Sequence, residues 1–173
     1  MSVLLDTKAL WGLIVKGSAY SDHVYEIAGK HTLLIPIPAI IEAWMAIYKT
    51  FSEKGKNFER GINALKLAQE KLKNIIEKPE LFGVSVKVIA VSINDLMRAF
   101  EIICEKPDLF VKKGPKQTLW IRFFDAIIAA IWERTRAVLL TDDNEILKYG
   151  KEKGLSAIKL EKRKIQSKSK NEM

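Results

Sequence analysis

Four acidic residues occupy positions where a buried carboxylate would be costly. Asp6 and Asp143 follow apolar runs that contain VLL, and Glu42 and Asp125 interrupt apolar segments with helical spacing. Burial penalises an isolated charge, and converging carboxylates repel one another unless a cation lies between them. Carboxylate oxygens without thiolate or imidazole ligands suit Mg²⁺ or Mn²⁺. Such an ion would activate water and stabilise the charge that develops on a phosphodiester.

Each acid also has an ordinary structural interpretation. Asp6 and Asp143 could each cap the helix that follows. Asp125 could pair with Arg122 one turn earlier, and Glu42 could pair with a distant lysine. The sequence leaves these alternatives open for each residue, but a structural role for all four acids together is less probable than for any one of them.

Strands and helices alternate along the chain that carries these acids. Strands are predicted over residues 2–5, 32–35, 84–91, 137–140 and 155–160. Helices are predicted over residues 7–15, 20–28, 39–51, 58–77, 92–105, from Trp120 onward, and 144–153. This order predicts an α/β domain with a mainly parallel sheet, in which ligands gather beyond the carboxyl ends of the strands. Two of the four acids follow predicted strands at that edge.

Several local signals mark where these elements begin and end. Ser21 is predicted to cap the second helix, and Gly29 is predicted to stop it. Ser92 and Asp95 have the spacing of a capping box at the start of a later helix. Residues 107–118, which are rich in lysine, glycine and proline, are predicted to form the clearest internal loop.

Length and composition indicate one globular domain. The chain has 173 residues with 48% hydrophobic content, enough for a core over residues 1–160, followed by a basic tail at 161–173 that we expect to be disordered. No apolar run approaches the roughly 18 residues that span a bilayer, and no secretory leader opens the sequence, so a cytoplasmic setting without membrane contact is expected. The single cysteine, Cys104, excludes a disulfide framework and is predicted to be buried.

The positive charge of the chain is concentrated toward one end. The net charge is +8, and residues 151–173 contribute five of these charges through eight basic and three acidic residues. A basic tail is common on proteins that bind no nucleic acid. Net charge alone therefore does not identify a partner.

Four ordered motifs resemble those of the PIN-domain family. They are DTKAL after the first strand, Glu42 in PAIIEAW, Asp125 in FFDAIIAA, and LLTDD before a helix, and together they extend from residue 3 to about 160. The motifs resemble those of VapC-like toxins and other small prokaryotic PIN ribonucleases. The resemblance implies a three-layer α/β/α sandwich with a central five-stranded, mainly parallel sheet. It also implies an acidic pocket that cleaves RNA with Mg²⁺ or Mn²⁺.

The resemblance assigns catalytic and metal-ligating roles to four residues of this chain: Asp6, Glu42, Asp125 and Asp143. Two further residues, Thr7 and Thr141, match positions whose hydroxyl groups form hydrogen bonds within such sites. Asp142 matches a variable position of the last motif. Its capping-box spacing to Glu145 favours a helix cap over a metal contact.

The chain departs from the family pattern in two respects. Lys8 stands where many relatives have a serine, and it could reach a phosphate or face solvent, with solvent favoured. Residues 52–83 and 106–119 add length to the compact toxin form. This extra length bears on the toxin assignment more than on the fold or the chemistry.

The remaining candidate residues have two interpretations each. Three lysines of the predicted loop could hold RNA phosphates or face solvent: Lys112, Lys113 and Lys116. Arg122 could orient a carboxylate or meet a phosphate. The histidines, His23 and His31, form no triad or zinc pattern and are interpreted as ordinary surface or partly buried residues. Three tryptophans are interpreted as core or dimer contacts rather than base-stacking platforms: Trp44, Trp120 and Trp132.

These observations lead to one functional hypothesis and one alternative. The hypothesis is a metal-dependent endoribonuclease that hydrolyses RNA phosphodiester bonds and could act as the toxin of a toxin–antitoxin pair. The alternative is a non-catalytic PIN-like module that binds RNA or protein. The partners implied by the resemblance are RNA, an antitoxin protein and a second copy of the chain. An intact set of four acids favours the enzyme.

Overall fold

A computed structural model describes residues 1–114 and 119–162 of the chain. The strands are β1 (Ser2–Leu5), β2 (Thr32–Pro36), β3 (Ser85–Ile89), β4 (Val111–Lys113), β5 (Leu119–Ile121), β6 (Val138–Thr141) and β7 (Ala157–Lys159). The helices are α1 (Thr7–Ile14), α2 (Ser21–Ala28), α3 (Ile37–Phe51), α4 (Phe58–Glu77), α5 (Ile93–Glu105), α6 (Pro107–Phe110), α7 (Phe123–Thr135) and α8 (Asn144–Glu152), with a 3₁₀ turn at Pro79–Phe82. Lys116 and most of the predicted tail, residues 163–173, lie outside the described residues.

Five parallel strands form the central sheet in the order β3–β2–β1–β6–β7. The middle strand, β1, is flanked on both sides, with Leu4 opposite Leu34 of β2 and Leu139 of β6. Its apolar run is fully buried from Val3 to Leu5, as expected for a parallel strand covered on both faces. Helices flank this sheet, which confirms the predicted three-layer α/β/α sandwich.

Helix α7 is the most deeply buried helix segment near the predicted acids. Every residue from Ala126 to Trp132 is buried, and the helix packs against both α5 and α3. Small side chains at Ala126, Ala129 and Ala130 let neighbouring helices approach closely. The all-round apolar character of this segment therefore reflects burial on all sides rather than an amphipathic surface helix.

The segment between α5 and α7 differs from the prediction. Residues 119–121 form β5, so the helix predicted from Trp120 begins only at Phe123. The predicted loop holds the short helix α6 and strand β4, and β4 pairs antiparallel with β5, with Lys112 opposite Trp120. Strands of three residues are stabilised by pairing with each other and leave little local pattern in the sequence. This is why the hairpin was missed.

Two other local predictions are wrong. Tyr20, not Ser21, is the N-cap of α2, because the Ser21 hydroxyl donates instead to the carbonyl oxygen of Gly12 at 2.8 Å. Cys104 is exposed, because it lies on the outer side of α5 next to the buried residues Ile102 and Ile103. Gly29 ends α2 as predicted.

The predicted capping box at the start of α5 is confirmed and also joins two helices. The Ser92 hydroxyl accepts from the backbone N–H of Asp95, and the Asp95 carboxylate accepts from the backbone N–H of Ser92. Asp95 is only 3% exposed and receives two hydrogen bonds from Arg134 of α7, at 2.7 and 3.0 Å. One carboxylate therefore caps α5 and fastens it to α7.

Replacing Asp95 by alanine is expected to lower the free energy of unfolding by about 2 kcal/mol, since the cap and the buried ion pair are both lost. Urea unfolding followed by circular dichroism measures this change. Glu101→Ala is the matched control, because Glu101 pairs with Arg98 at an exposed position and should contribute no more than about 0.5 kcal/mol. Equal effects of the two substitutions would contradict the assignment.

None of the helices within residues 1–114 and 119–162 is long and apolar enough to cross a membrane.

Candidate active site

The four predicted acids lie on four different elements. Asp6 follows β1 and Asp143 closely follows β6, and these two strands are neighbours in the sheet. Glu42 lies on α3 and Asp125 lies in the first turn of α7. Because parallel neighbours end at the same edge of the sheet, Asp6 and the segment after β6 are brought together as predicted. We refer to the four residues as the acidic site.

Asp6 is a buried carboxylate with two defined hydrogen bonds. It is 6% exposed and is the N-cap of α1, where the backbone N–H of Ala9 donates to its Oδ1 at 2.7 Å. The hydroxyl of Thr141 donates to its Oδ2. Burial raises the pKa of Asp6 to about 7, although these two hydrogen bonds lower it. Asp6 therefore caps α1, but its hydrogen bonds do not offset the energetic cost of ionising the buried carboxyl group.

Thr141 links the ends of the two strands. It is fully buried, and while its hydroxyl donates to Asp6, the same oxygen accepts from the backbone N–H of Asp143 at 3.0 Å. Thr7, next to Asp6 in sequence, donates its hydroxyl to Oε2 of Glu42. Both threonines form the hydrogen bonds that the resemblance implied, and within the described residues the partner of Glu42 is a hydroxyl rather than the predicted lysine.

Asp125 and Asp143 share one arginine. Arg122 donates from Nε to Oδ2 of Asp125 at 2.7 Å, from Nη2 to Oδ2 of Asp143, and from Nη1 to Oε2 of Glu145. Its side chain is 11% exposed. The interpretation of Arg122 as a residue that orients carboxylates is therefore correct, and the pairing of Asp125 with Arg122 is also present.

The charges of the acidic site influence one another. Burial raises the pKa of Asp125 to about 6, Arg122 lowers it, and the negative charges of Glu42 and Asp143 raise it. Burial also raises the pKa of Asp143, but the backbone N–H of Ile146 and the guanidinium of Arg122 outweigh this effect and leave it below its usual value. Asp125 thus responds electrostatically to two of the other three acids.

The helix cap predicted at Asp142 is formed by Asp143 instead. Asp143 is the N-cap of α8, where its Oδ1 accepts from the backbone N–H groups of Glu145 and Ile146 at 2.9 and 3.1 Å. Asp142 is therefore not the cap, since α8 begins only at Asn144 and the residue immediately before it takes that position. The capping-box spacing to Glu145 favoured Asp142, but Glu145 is only the second residue after the observed cap, so this sequence signal was misleading.

Asp142 contacts Lys8 and Tyr20, whereas Asp143 contacts Arg122. It forms an ion pair with Lys8 at 2.8 Å and accepts a hydrogen bond from the hydroxyl of Tyr20 at 3.0 Å. The Lys8 side chain is 56% exposed, so it both contacts an acid and reaches solvent. Its pKa is raised, first by the hydrogen bond to Asp142. Lys8 therefore remains charged at neutral pH beside Asp6.

Sequence reasoning missed Glu145 and Tyr20 as neighbours of the acidic site. Glu145 meets Arg122 and also Lys112 of β4, at 3.1 Å from the lysine ammonium. The only sequence signal for the Arg122 cluster is the three-residue spacing to Asp125, because the other contacts depend on how β4, β5 and α8 are arranged. Lys113 is exposed.

The histidines and tryptophans have mostly structural roles. His23 is buried, and its Nδ1 accepts from the backbone N–H of Glu161 at 2.9 Å. Trp132 is fully buried and donates from its indole N–H to the carbonyl oxygen of Ala137. Trp44 and Trp120 are exposed, so of the three tryptophans only Trp132 belongs to the core.

The donor atoms of the acidic site are all oxygens, which fits Mg²⁺ or Mn²⁺. Asp6 fits such an ion best on physical grounds, since a nearby cation would offset the burial that raises its pKa. As the side chains are placed, no group of three or more aspartate, glutamate, histidine or cysteine residues in the described part of the chain could hold a metal ion. Asp125 and Asp143 instead contact a guanidinium.

Comparison with known families assigns the class of this chain. A model of the PIN domain matches residues 3–152. This span covers most of the sequence, and the chain therefore belongs to the PIN-domain family. No curated protein matched the chain.

Solved structures with a similar fold come from bacteria and archaea. VapBC2 from Rickettsia felis, solved bound to a DNA fragment from their promoter, has a TM-score of 0.54 and 18% identity over 93% of this chain and 100% of that chain. PAE2754 from Pyrobaculum aerophilum has a TM-score of 0.55 and 22% identity over 92% and 90%. A domain of a functionally unknown protein from Methanocaldococcus jannaschii has a TM-score of 0.50 and 19% identity over 99% of both chains. At these identities the similarity concerns the fold.

Proposed function

We propose that this protein is a divalent-metal-dependent endoribonuclease whose catalytic and metal-binding residues are Asp6, Glu42, Asp125 and Asp143. The observation that carries the proposal is the junction of β1 and β6, where one buried threonine joins Asp6 to the backbone of Asp143. Membership of the PIN family supports it, because PIN domains are generally nucleases that use divalent metals. The precise ion, Mg²⁺ or Mn²⁺, and RNA as the substrate are parts of the proposal.

The side chains of the chain have separable roles in this proposal. A bound divalent ion would supply Lewis-acid stabilisation of the phosphate and a lowered pKa for water. Thr141 and the N–H of Ala9 fix the Asp6 carboxylate, and Thr7 fixes Glu42, so these acids are positioned before any substrate arrives. Such preorganisation avoids reorganising the site during the reaction.

Two exposed lysines are suited to meet the RNA backbone. Lys8 and Lys112 have side chains that are 56% and 54% exposed, and each pairs with an acid adjoining the acidic site. Phosphate groups can compete for both, because exposed ion pairs are weak and easily exchanged. Association with RNA would then weaken as the salt concentration rises.

Cleavage of single-stranded and structured RNA by the purified protein tests the proposal. Cleavage should require Mn²⁺ or Mg²⁺ and stop on chelation. Asp125→Asn should reduce the rate by about 100-fold, since it removes a charge that faces the metal and the transition state. Asp108→Asn, at an exposed site on α6, is the matched control and should cleave like the unmodified protein.

Cleavage that persists in chelator, or that survives Asp125→Asn unchanged, would refute the assignment of the site. Retained RNA binding without any cleavage would instead support the alternative of a non-catalytic binding module. The two outcomes separate because binding is measured independently, by fluorescence anisotropy with a labelled RNA.

The proposal extends to partners and organisation. The similarity to VapBC2, a toxin–antitoxin protein, supports an antitoxin as protein partner, and a homodimer and a cytoplasmic location are further parts of the proposal. We assign the catalytic domain to residues 1–160 and a basic tail to 161–173. Expression without a partner should arrest growth if the protein is a toxin, whereas Asp6→Asn should be tolerated.

A further inference from the structure

We infer that Arg122 is the internal counter-ion of the acidic site, and that a divalent ion competes with it for Asp125 and Asp143. The inference rests on the proposed metal-dependent function and assigns Arg122 a positioning role within that same site. The sequence indicated only that Arg122 could orient a carboxylate or meet a phosphate; competition with a metal ion is a further role.

The guanidinium of Arg122 is fixed on several sides. Its three contacts reach the first turn of α7, the N-cap of α8 and the first turn of α8. In addition, Nη1 donates to the carbonyl oxygen of Leu109. The backbone N–H of Arg122 donates to the carbonyl oxygen of Phe110 at 2.8 Å. A side chain held by three carboxylates and a carbonyl, with only 11% exposure, is a built component of the site rather than a mobile surface group.

The contacts of Arg122 use the atoms that a metal ion would need. Oδ2 of both Asp125 and Asp143 accepts from the guanidinium, and Oδ1 of Asp143 accepts from two backbone N–H groups. Both oxygens of Asp143 are therefore already engaged. Arginine stays protonated at every pH that the protein tolerates, so its charge cannot be removed by titration. A divalent ion that binds Oδ2 of either aspartate therefore competes with the guanidinium for that oxygen.

The charge balance sets the direction of the effect. Three carboxylates surround one guanidinium, and removing that single positive charge raises the negative potential that attracts a cation. Lys112 offers a comparison, since it also carries one positive charge, and its ion pair within residues 1–114 and 119–162 is with Glu145, at the exposed edge of the same cluster. A charge in contact with two proposed metal ligands should therefore matter more than one that contacts neither.

Calorimetric titration of the full chain with Mn²⁺ tests the inference. Arg122→Gln should bind Mn²⁺ about 10-fold more tightly than the unmodified protein, which corresponds to about 1.4 kcal/mol. Arg122→Lys, which keeps the charge, and Lys112→Gln, which removes an outer charge, should both change the affinity by less than about threefold. Thermal unfolding in chelator should show Arg122→Gln to be less stable, because three carboxylates lose their partner.

A purely structural role would give the opposite result. If Arg122 only held the site together, Arg122→Gln would weaken Mn²⁺ binding along with stability, and that outcome would overturn the inference. An equal gain in affinity for Lys112→Gln would also overturn it, because net charge alone would then explain the effect. Binding by Arg122→Gln but not by the unmodified protein would support the inference in its strongest form.

Failure of the proposed function has its own signature. If neither the unmodified protein nor any of the three variants binds Mn²⁺, the metal site is wrong and the inference falls with it. If all bind equally, only the role of Arg122 is wrong. Circular dichroism of Arg122→Gln at the titration temperature shows that a folded protein is being compared.

Discussion

Replacing Asp6 by asparagine is expected to reduce RNA cleavage strongly and, at pH 8, to make the protein more resistant to unfolding. The loss of activity should be on the order of 1,000-fold, since a carboxylate proposed to hold the metal is replaced by a neutral group. The gain in stability follows from burial, which raises the pKa of Asp6 to about 7. At pH 8 the native protein must ionise a group that prefers to be neutral.

The sign of the pH dependence follows from proton linkage. Between pH 3.8 and about 7, the native state holds a proton on Asp6 that the unfolded chain has released. The free energy of unfolding therefore falls as the pH rises through this window, and the contribution is fully lost above it. In the asparagine variant this part of the pH dependence is absent. The expected gain in the free energy of unfolding at pH 8 is about 2 kcal/mol. This is less than the whole cost of ionising the buried carboxyl group, because asparagine does not reproduce every hydrogen bond of that group.

Urea unfolding at pH 4 and pH 8 in chelator, together with the RNA cleavage assay, measures both effects. Asp22→Asn is the matched control, since Asp22 is exposed on α2 and its replacement should change stability by no more than about 0.5 kcal/mol. An asparagine variant that is inactive but less stable at pH 8 would show that Asp6 serves the fold and that its loss of activity is indirect.

Replacing Gly150 by alanine is expected to destabilise the protein by about 3 kcal/mol. Gly150 lies inside α8, where alanine is otherwise favoured over glycine by about 1 kcal/mol. A Cβ atom at this position, however, would lie 2.0 Å from Cη2 of Trp132 and 2.6 Å from its Cζ3. Trp132 is fully buried and its indole N–H donates to Ala137 at 2.9 Å, so the ring cannot turn aside without losing this bond.

Gly29→Ala is the control for this substitution. An added Cβ at Gly29 would have its nearest neighbour at 3.6 Å, and the φ angle there is −68°, so alanine should be neutral or slightly stabilising. Combining Gly150→Ala with Trp132→Phe should cost less than the sum of the two changes, because the smaller ring leaves room for the methyl group. Additive losses measured by urea unfolding would show that the contact with Trp132 is not the cause.

The central sheet was predictable because its strands are encoded locally. The runs VLL in β1 and AVLL at β6 are continuous apolar segments bounded by polar residues, the pattern of a strand buried on both faces. The β4–β5 hairpin carries no such pattern. Val111, Lys112 and Lys113 acquire their strand conformation only by pairing with residues 119–121, and this partner is invisible in either segment alone.

The membership of the acidic site was more predictable than its internal contacts. Asp6 and Asp125 stand out because a charge in an apolar context requires an explanation. The choice between Asp142 and Asp143 as helix cap depends on the residue at which α8 begins. The two possible starts differ by one position, and helix propensities do not resolve such a difference. The contact between Arg122 and Asp143 spans 21 residues and depends on the packing of α7 against α8.

The sheet order has a consequence for the time at which the site can exist during synthesis. The ribosome makes β1 and its neighbour β2 early, but β6, the other neighbour of β1, is made long afterwards. Thr141 lies 135 residues from Asp6, so the hydrogen bond between them cannot form until the segment with β6 has left the ribosome. Contacts so distant in sequence form late in folding. A chain of the proposed ribonuclease that is still being synthesised would therefore not cleave the messenger RNA or the ribosomal RNA that are making it.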